Sequence, residues 1–217
     1  MRRLSLLLAG LVLFGRCNAP PLYEEKARRC LGRHETQDVV DRLTGRLPLA
    51  RTEAKRLFTY RCAAVRHLLA ANPSTPEPLL RRIVDDRRLA ARTGLAVNPC
   101  APLDLLLPLR SPRTYTTENT ALAMNPALSP QLLREMFESK EAIWTSFALN
   151  PSTPADILER IAREGSEIDR AWLATNPRLP GHLREVLRKD TATVVQSYLA
   201  SGPRQEVRCE PQRHHED

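Results

Sequence analysis

The chain has 217 residues, a formal charge of +8, 18 prolines and only 5% aromatic residues. That length holds one large or two small domains, and so few aromatics suit a thin core filled by Leu and Ala. With 8 glycines no Gly-rich phosphate loop is present, and five cysteines whose nearest pair is Cys17 and Cys30 exclude zinc or iron–sulfur motifs that need ligands two to four residues apart.

Residues 1–19 begin with Arg2 and Arg3, continue as the apolar run Leu4 to Phe14 and end in Gly15-Arg16-Cys17-Asn18-Ala19. A basic start before a short apolar run reads as a secretory signal, too short for a comfortable membrane span. Cys17 follows the run where a lipoprotein signal places its cysteine, although Arg16 stands where a small residue belongs. Cleavage after Ala19 would instead leave Pro20 next. The expectation is an exported chain, periplasmic or membrane-anchored in a bacterium, with Cys17 as the lipidation candidate. One acyl chain anchors weakly, so a second membrane contact would be needed. Removing Met1 to Arg16 takes away three Arg and no acids, lowering the charge from +8 to +5.

Residues 20–62 are rich in Glu, Arg and Asp, with Leu22, Ala27 and Leu31, then Val39, Val40 and Leu43, at helical spacings broken by Gly45 and Pro48. From Thr52 a longer helical pattern carries Leu57, Phe58 and Val65. This segment reads as a helical N-terminal cap shielding the open end of a repeat stack. Cys30 and Cys62 both fall in it. With Cys17 lipidated or lost, four cysteines in an oxidising compartment favour disulfides, and Cys30 with Cys62 is the expected pair. Cys100 reads as a small residue packed after Asn98-Pro99.

Residues 63–203 repeat the phrase Leu-Ala-x-Asn-Pro, ending at Pro73, Pro99, Pro126, Pro151 and Pro177, with a worn sixth copy, Leu199-Ala200-Ser201-Gly202-Pro203; successive prolines are 26, 27, 25, 26 and 26 apart. Asn-Pro stops a helix, because proline clashes with an α-helical residue before it and lacks an N–H. A second proline follows at Pro76, Pro102, Pro130, Pro154 and Pro180 and predicts a new helix start with proline at the first position. Thr or Ser just before it is placed to cap, and Thr153 with Asp156 has capping-box spacing. The apolar pairs Leu79/Leu80, Leu105/Leu106, Leu132/Leu133 and Ile157/Leu158, followed a turn later by Ile83, Leu109, Met136, Ile161 and Val186, predict a buried stripe. The second helix of each unit carries a column of Leu69, Leu95, Leu122, Phe147, Leu173 and Leu199. Beside it stands Ala in every copy: Ala70, Ala96, Ala123, Ala148, Ala174 and Ala200. Such a column predicts a seam where neighbouring backbones approach too closely for a larger side chain.

The spacing, the Leu-Ala-x-Asn-Pro phrase and the following Thr-Pro-x-x-Leu-Leu resemble the leucine-rich repeat variant family. The resemblance spans roughly residues 63–203 and departs from the pattern at Pro130, at Tyr115-Thr116-Thr117 and at Gly202. It implies an all-α, right-handed α-solenoid of about five and a half repeats of 26 residues, built from α-helices and short α- or 3-10 helices. It implies a binding role and carries no catalytic residues to transfer. The clustered cysteines of an iron–sulfur domain, found before the repeats in some members, are absent from this sequence.

The tail, residues 204–217, is charged and poor in apolar residues, which predicts disorder. His214 and His215 near Cys209 have no fixed geometry for a metal there. His67 heads a column of Thr93, Thr120, Thr145, Ala171 and Ser197, small or polar residues that place it at the surface. No catalytic constellation, cofactor site or metal site is legible, and the chain reads as non-enzymatic. The leading expectation is a repeat scaffold that binds a protein or peptide partner in the bacterial envelope. The alternative is a basic solenoid gripping nucleic acid through phosphate contacts, since 29 of the 33 basic residues are arginine, lysine standing only at 26, 55, 140 and 189. Candidate partner contacts are Arg81, Arg82 and Arg88 on the early repeats and Trp144, Trp172 and Tyr198 on the later ones. Trp172 and Tyr198 share one repeat column, where they either plug the end of the core or form an exposed aromatic patch.

Overall fold

The computed structural model describes residues 13–14, 17–18, 21–32, 37–45, 47–85, 89–206 and 209. Those residues form an all-helical protein with one exception, a minimal antiparallel pairing of β1 (Leu13–Phe14) with β2 (Cys17–Asn18). The chain divides into two compact units, the first comprising Met1–Leu106 with Glu206–Asp217 and the second Leu107–Gln205.

The first unit holds α1 (Pro21–Leu31), α2 (Gln37–Leu43), α3 (Arg51–Phe58), α4 (Ala63–Ala71), α5 (Glu77–Val84), α6 (Leu89–Val97) and α7 (Leu103–Leu106). The logic of its helices is plain in α5. Leu79, Leu80 and Ile83 sit three and four residues apart and are buried on one face, while Arg81 and Arg82 lie on the exposed side. Each buried aliphatic side chain contributes about 1.5–3 kcal/mol relative to exposure. Helix α6 packs along α4, and Gly94 permits it: a Cβ there would lie 2.4 Å from the backbone oxygen of His67.

The second unit opens with a 3-10 turn at Leu107–Leu109 and continues with α8 (Thr117–Ala123), α9 (Pro130–Glu138), α10 (Trp144–Leu149), α11 (Ala155–Glu164), α12 (Glu167–Ala174), α13 (Gly181–Arg188) and α14 (Thr193–Ser201). Helices α10, α12 and α14 pack in series, with α11 and α13 beside them. The irregular stretch before α8 is folded back on itself. Asn119, fully buried, donates to the carbonyls of Ser111 and Arg113 and accepts from the Ser111 amide, while Thr116 caps α8 by accepting from the Asn119 amide. Arg110 reaches Glu141 through two hydrogen bonds of 2.7 and 2.8 Å.

The Asn of each Asn-Pro phrase does more than end a helix. Asn72 and Asn150 have extended backbones, with ψ of 124° and 120°, as expected before proline. Their carboxamides are buried and reach into the preceding copy. Asn98 donates to the carbonyls of Ala70 and Asn72, Asn150 to those of Ala123 and Asn125, and Asn176 to those of Ala148 and Asn150, at 2.8–3.1 Å. Each Oδ1 meanwhile accepts the amide two residues on, as at Ser152 and Arg178, which shapes the turn. In Asn72 the same donor reaches Arg42 and Leu43, so α2 offers its C-terminal carbonyls where a preceding repeat would.

Ala70, Ala96, Ala123, Ala148 and Ala174 are fully buried. In the worn sixth copy Ala200 is exposed and Leu199 only half-buried. The stripe expectation fails at Val186, which is 52% exposed. Counting seven residues from Pro180, as Ile83 and Ile161 stand seven from Pro76 and Pro154, leads to Leu187, and that side chain is the buried one. The capping expectation also needs correction. Thr75 and Thr153 donate to the carbonyls of Leu69 and Phe147, closing the helix before them rather than capping the next. Pro76 and Pro154 then occupy the N-cap position itself. Ser129 caps α9 by accepting from the Leu132 amide, and the capping box lies at Ser166 and Asp169.

His67 is buried, against the surface placement expected of its column. Tyr23 of α1 stacks on its ring at 3.8 Å, and Nδ1–H donates to the Ala90 carbonyl at 2.8 Å. Desolvation holds its pKa down at about 4. Thr93, Thr145 and Ala171 of the same column are buried too. In this column a small or polar side chain marks close helix packing rather than solvent.

Cys30 and Cys62 form a disulfide that ties α1 to the residue preceding α4. A second disulfide joins Cys100 to Cys209. Cys100 is therefore more than the small packed residue it resembles in sequence. The tail, expected to be disordered from residue 204, is held at two described points, the Cys209 bridge and the Arg204 amide, which donates to the Thr175 carbonyl at 3.0 Å. His214 and His215 lie outside the described residues, as does the run Met1 to Val12.

Candidate functional site

A recess of about 310 Å³ opens in the first unit between α3 and the start of α5, lined by Arg51, Lys55, Pro76, Pro78, Leu79 and Arg82. Helix α3 sets its basic wall. Arg51 and Lys55 are four residues apart and so share a face, with Phe58 a turn further on, while Ala54 and Leu57 face the core. The apolar floor comes from the break between α4 and α5, where Pro76 and Pro78 bracket the helix start and Leu79 turns inward. Arg82, four residues past Pro78, completes the rim.

The recess is basic by arrangement as well as by content. Among the described residues no carboxylate pairs with Arg51, Lys55 or Arg82. The acids of the same two helices are engaged elsewhere: Glu53 pairs with Arg42 and Arg56, and Glu77 with Arg81. Phe58 fixes the far edge, with the Arg82 guanidinium 4.6 Å and the Arg66 guanidinium 4.0 Å from its ring centre. Such cation–π contacts hold a guanidinium in place without neutralising it.

Of the residues singled out from sequence, Arg82 belongs to this recess. Arg81, its neighbour, does not. Its guanidinium bridges Glu77 and Asp104, and these hydrogen bonds raise its pKa. Arg134 reaches Asp156 at 2.7 Å in the second unit in the same manner, so these arginines link helices of successive copies. Arg88 lies outside the described residues. Trp144 is half-buried against Phe137 at 5.3 Å, with Arg160 over its ring. Trp172 and Tyr198 meet edge to face at 4.5 Å, and the Arg204 guanidinium lies 4.9 Å over the Trp172 ring. Only 7% of Trp172 remains exposed. Burial lowers the Arg204 pKa to about 10. These three residues close upon one another, which is the plugging arrangement rather than an open aromatic patch.

Arg51 and Lys55 escaped the sequence reading because their basic face lies in the cap, ahead of the repeats. A readable signal was there: positions 51, 55 and 58 share a helical face that carries no acid. Cys17 stands in β2, and among the described residues no helix is long and apolar enough to cross a membrane. No protein-family model, curated protein or solved structure matches the chain.

Proposed function

We propose that the chain is a repeat scaffold of the leucine-rich repeat variant type, a non-enzymatic α-solenoid that binds a protein or peptide partner in the bacterial envelope. The observation that carries this reading is the periodic carboxamide bonding of Asn98, Asn150 and Asn176 into the copy before each. A protein whose units repeat their contacts in this way devotes its periodic residues to stacking and leaves its outer surface for recognition. The basic start and apolar run before Cys17 support export, and lipidation of Cys17 would tether the chain.

Nucleic-acid binding is the second reading, favoured by the three cations of the recess, which have no carboxylate partner among the described residues. It requires a track of phosphate contacts, whereas Arg81 and Arg134 on the repeat helices are already engaged by carboxylates.

Fractionation of the native cell, comparing the wild-type chain with Cys17→Ala, tests the assignment. The expected result is wild-type protein in the envelope fraction, a shift of the variant away from the membrane, and a co-purifying protein that survives nuclease treatment. A cytosolic chain whose complex disappears with nuclease would contradict it.

A further inference from the structure

We propose that the recess between α3 and α5 is the docking site for an acidic peptide segment, one that places a carboxylate among Arg51, Lys55 and Arg82 and an apolar side chain on Pro76, Pro78 and Leu79. The inference rests on the scaffold reading above and names the chemistry of its partner. Charge complementarity identifies the occupant. Three cations line one opening without a carboxylate partner among the described residues, so their mutual repulsion is relieved by an incoming anion. Guanidinium groups take carboxylates in two-pronged hydrogen bonds, and Arg82 is already oriented by the Phe58 ring.

Shape narrows the choice further. A volume of about 310 Å³ is at the small end of ligand clefts, which run from roughly 300 to 1,000 Å³. That accommodates one or two side chains, not a nucleic-acid strand with its train of phosphates. The apolar floor gives a bare anion nothing to cover and gives a leucine-sized side chain a seat. Because the site is concave, a flat membrane surface does not reach the floor.

Fluorescence anisotropy with the full-length purified protein tests this, using a labelled peptide that alternates glutamate and leucine. Comparison peptides replace glutamate by lysine or leucine by serine. Lys55→Glu with Arg82→Glu reverses the rim, and Lys189→Glu on the second unit is the control; circular dichroism confirms that each variant is helical. The glutamate–leucine peptide is expected to bind best, the rim reversal to weaken it at least about tenfold, and the control to leave it unchanged. The lysine peptide should not bind, and the serine peptide should bind about tenfold more weakly or worse. Equal binding after rim reversal overturns the site. Equal binding of the serine peptide, full displacement by inorganic phosphate, or preference for a single-stranded oligonucleotide overturns its ligand class. If the peptide fails while a protein partner still co-purifies from the envelope, the recess proposal falls and the scaffold reading stands. If no protein partner co-purifies yet the peptide binds as described, the recess stands and the scaffold reading falls.

Discussion

The side-chain amide of Asn176 donates to the backbone carbonyl of Asn150 at 3.1 Å, and Asn150 in turn donates to that of Asn125 at 2.8 Å. Each asparagine thus reads the position of its counterpart one copy earlier. All three side chains are fully buried, so these bonds form where an unmet carbonyl is costly.

Asn150→Ala would take the side-chain partner from the Ala123 carbonyl and the Ser152 amide, and one of two donors from the Asn125 carbonyl, which keeps the Leu128 amide at 3.2 Å. Urea unfolding should show a loss of about 2 kcal/mol or more, since each of the two orphaned polar groups costs roughly 1–3 kcal/mol. Asn150→Asp should be at least as damaging, because it turns a carboxylate toward two carbonyl oxygens. A loss below about 0.5 kcal/mol for either would remove the ladder from the account.

The seam residues should respond by position rather than by type. Gly94→Ala places a Cβ 2.4 Å from the backbone oxygen of His67, and Ala148→Val enlarges a fully buried side chain; overpacking of this kind costs about 1–3 kcal/mol. Ala200→Val, in the exposed last copy, should be neutral to within about 0.5 kcal/mol. Equal penalties at Ala148 and Ala200 would show that the column senses helix propensity and not close packing.

His67 makes the first unit sensitive to acid. Its folded pKa, about 4, lies below the ordinary 6.5, because burial disfavours the charged ring. Between these values the unfolded chain binds more protons than the folded one. The stabilisation is therefore complete above pH 6.5 and is lost as the pH falls through the folded value, summing to roughly 3 kcal/mol in strong acid. His67→Asn keeps a donor for the Ala90 carbonyl and removes the proton. It should flatten the dependence of thermal stability on pH in this window, and an unchanged slope would mean that other groups set it.

Ser146 offers a prediction of opposite sign. Its Oγ is buried on α10 and has no hydrogen-bond partner among the described residues. Ser146→Ala should raise stability by about 0.5–1 kcal/mol in urea unfolding, because it removes a desolvated hydroxyl without opening a sizeable void. A loss of stability would show that the hydroxyl is satisfied in solution.

The regular part of this fold was legible because periodic residues have local consequences. Proline spacing set helix boundaries to within a few residues, and apolar spacing separated Leu79, Leu80 and Ile83 from Arg81 and Arg82. What escaped depends on partners far along the chain. Nothing local to Asn150 reveals that its amide reaches Ala123, and nothing near Cys100 points to Cys209, 109 residues away. His67 was misplaced because the aromatic ring that covers it belongs to α1, outside the repeats. Arg82 was visible as a basic residue, whereas the wall opposite it, Arg51 and Lys55, comes from a helix whose neighbour no sequence period announces.

A photo-crosslinking residue in place of the exposed Thr52, next to Arg51 on α3 and outside the recess lining, reports in the native cell on what occupies the recess. One discrete protein adduct is expected in the envelope fraction, resistant to nuclease, lost with Arg82→Glu and retained with Lys189→Glu. Adducts to nucleic acid, or a protein adduct indifferent to Arg82→Glu, would contradict it.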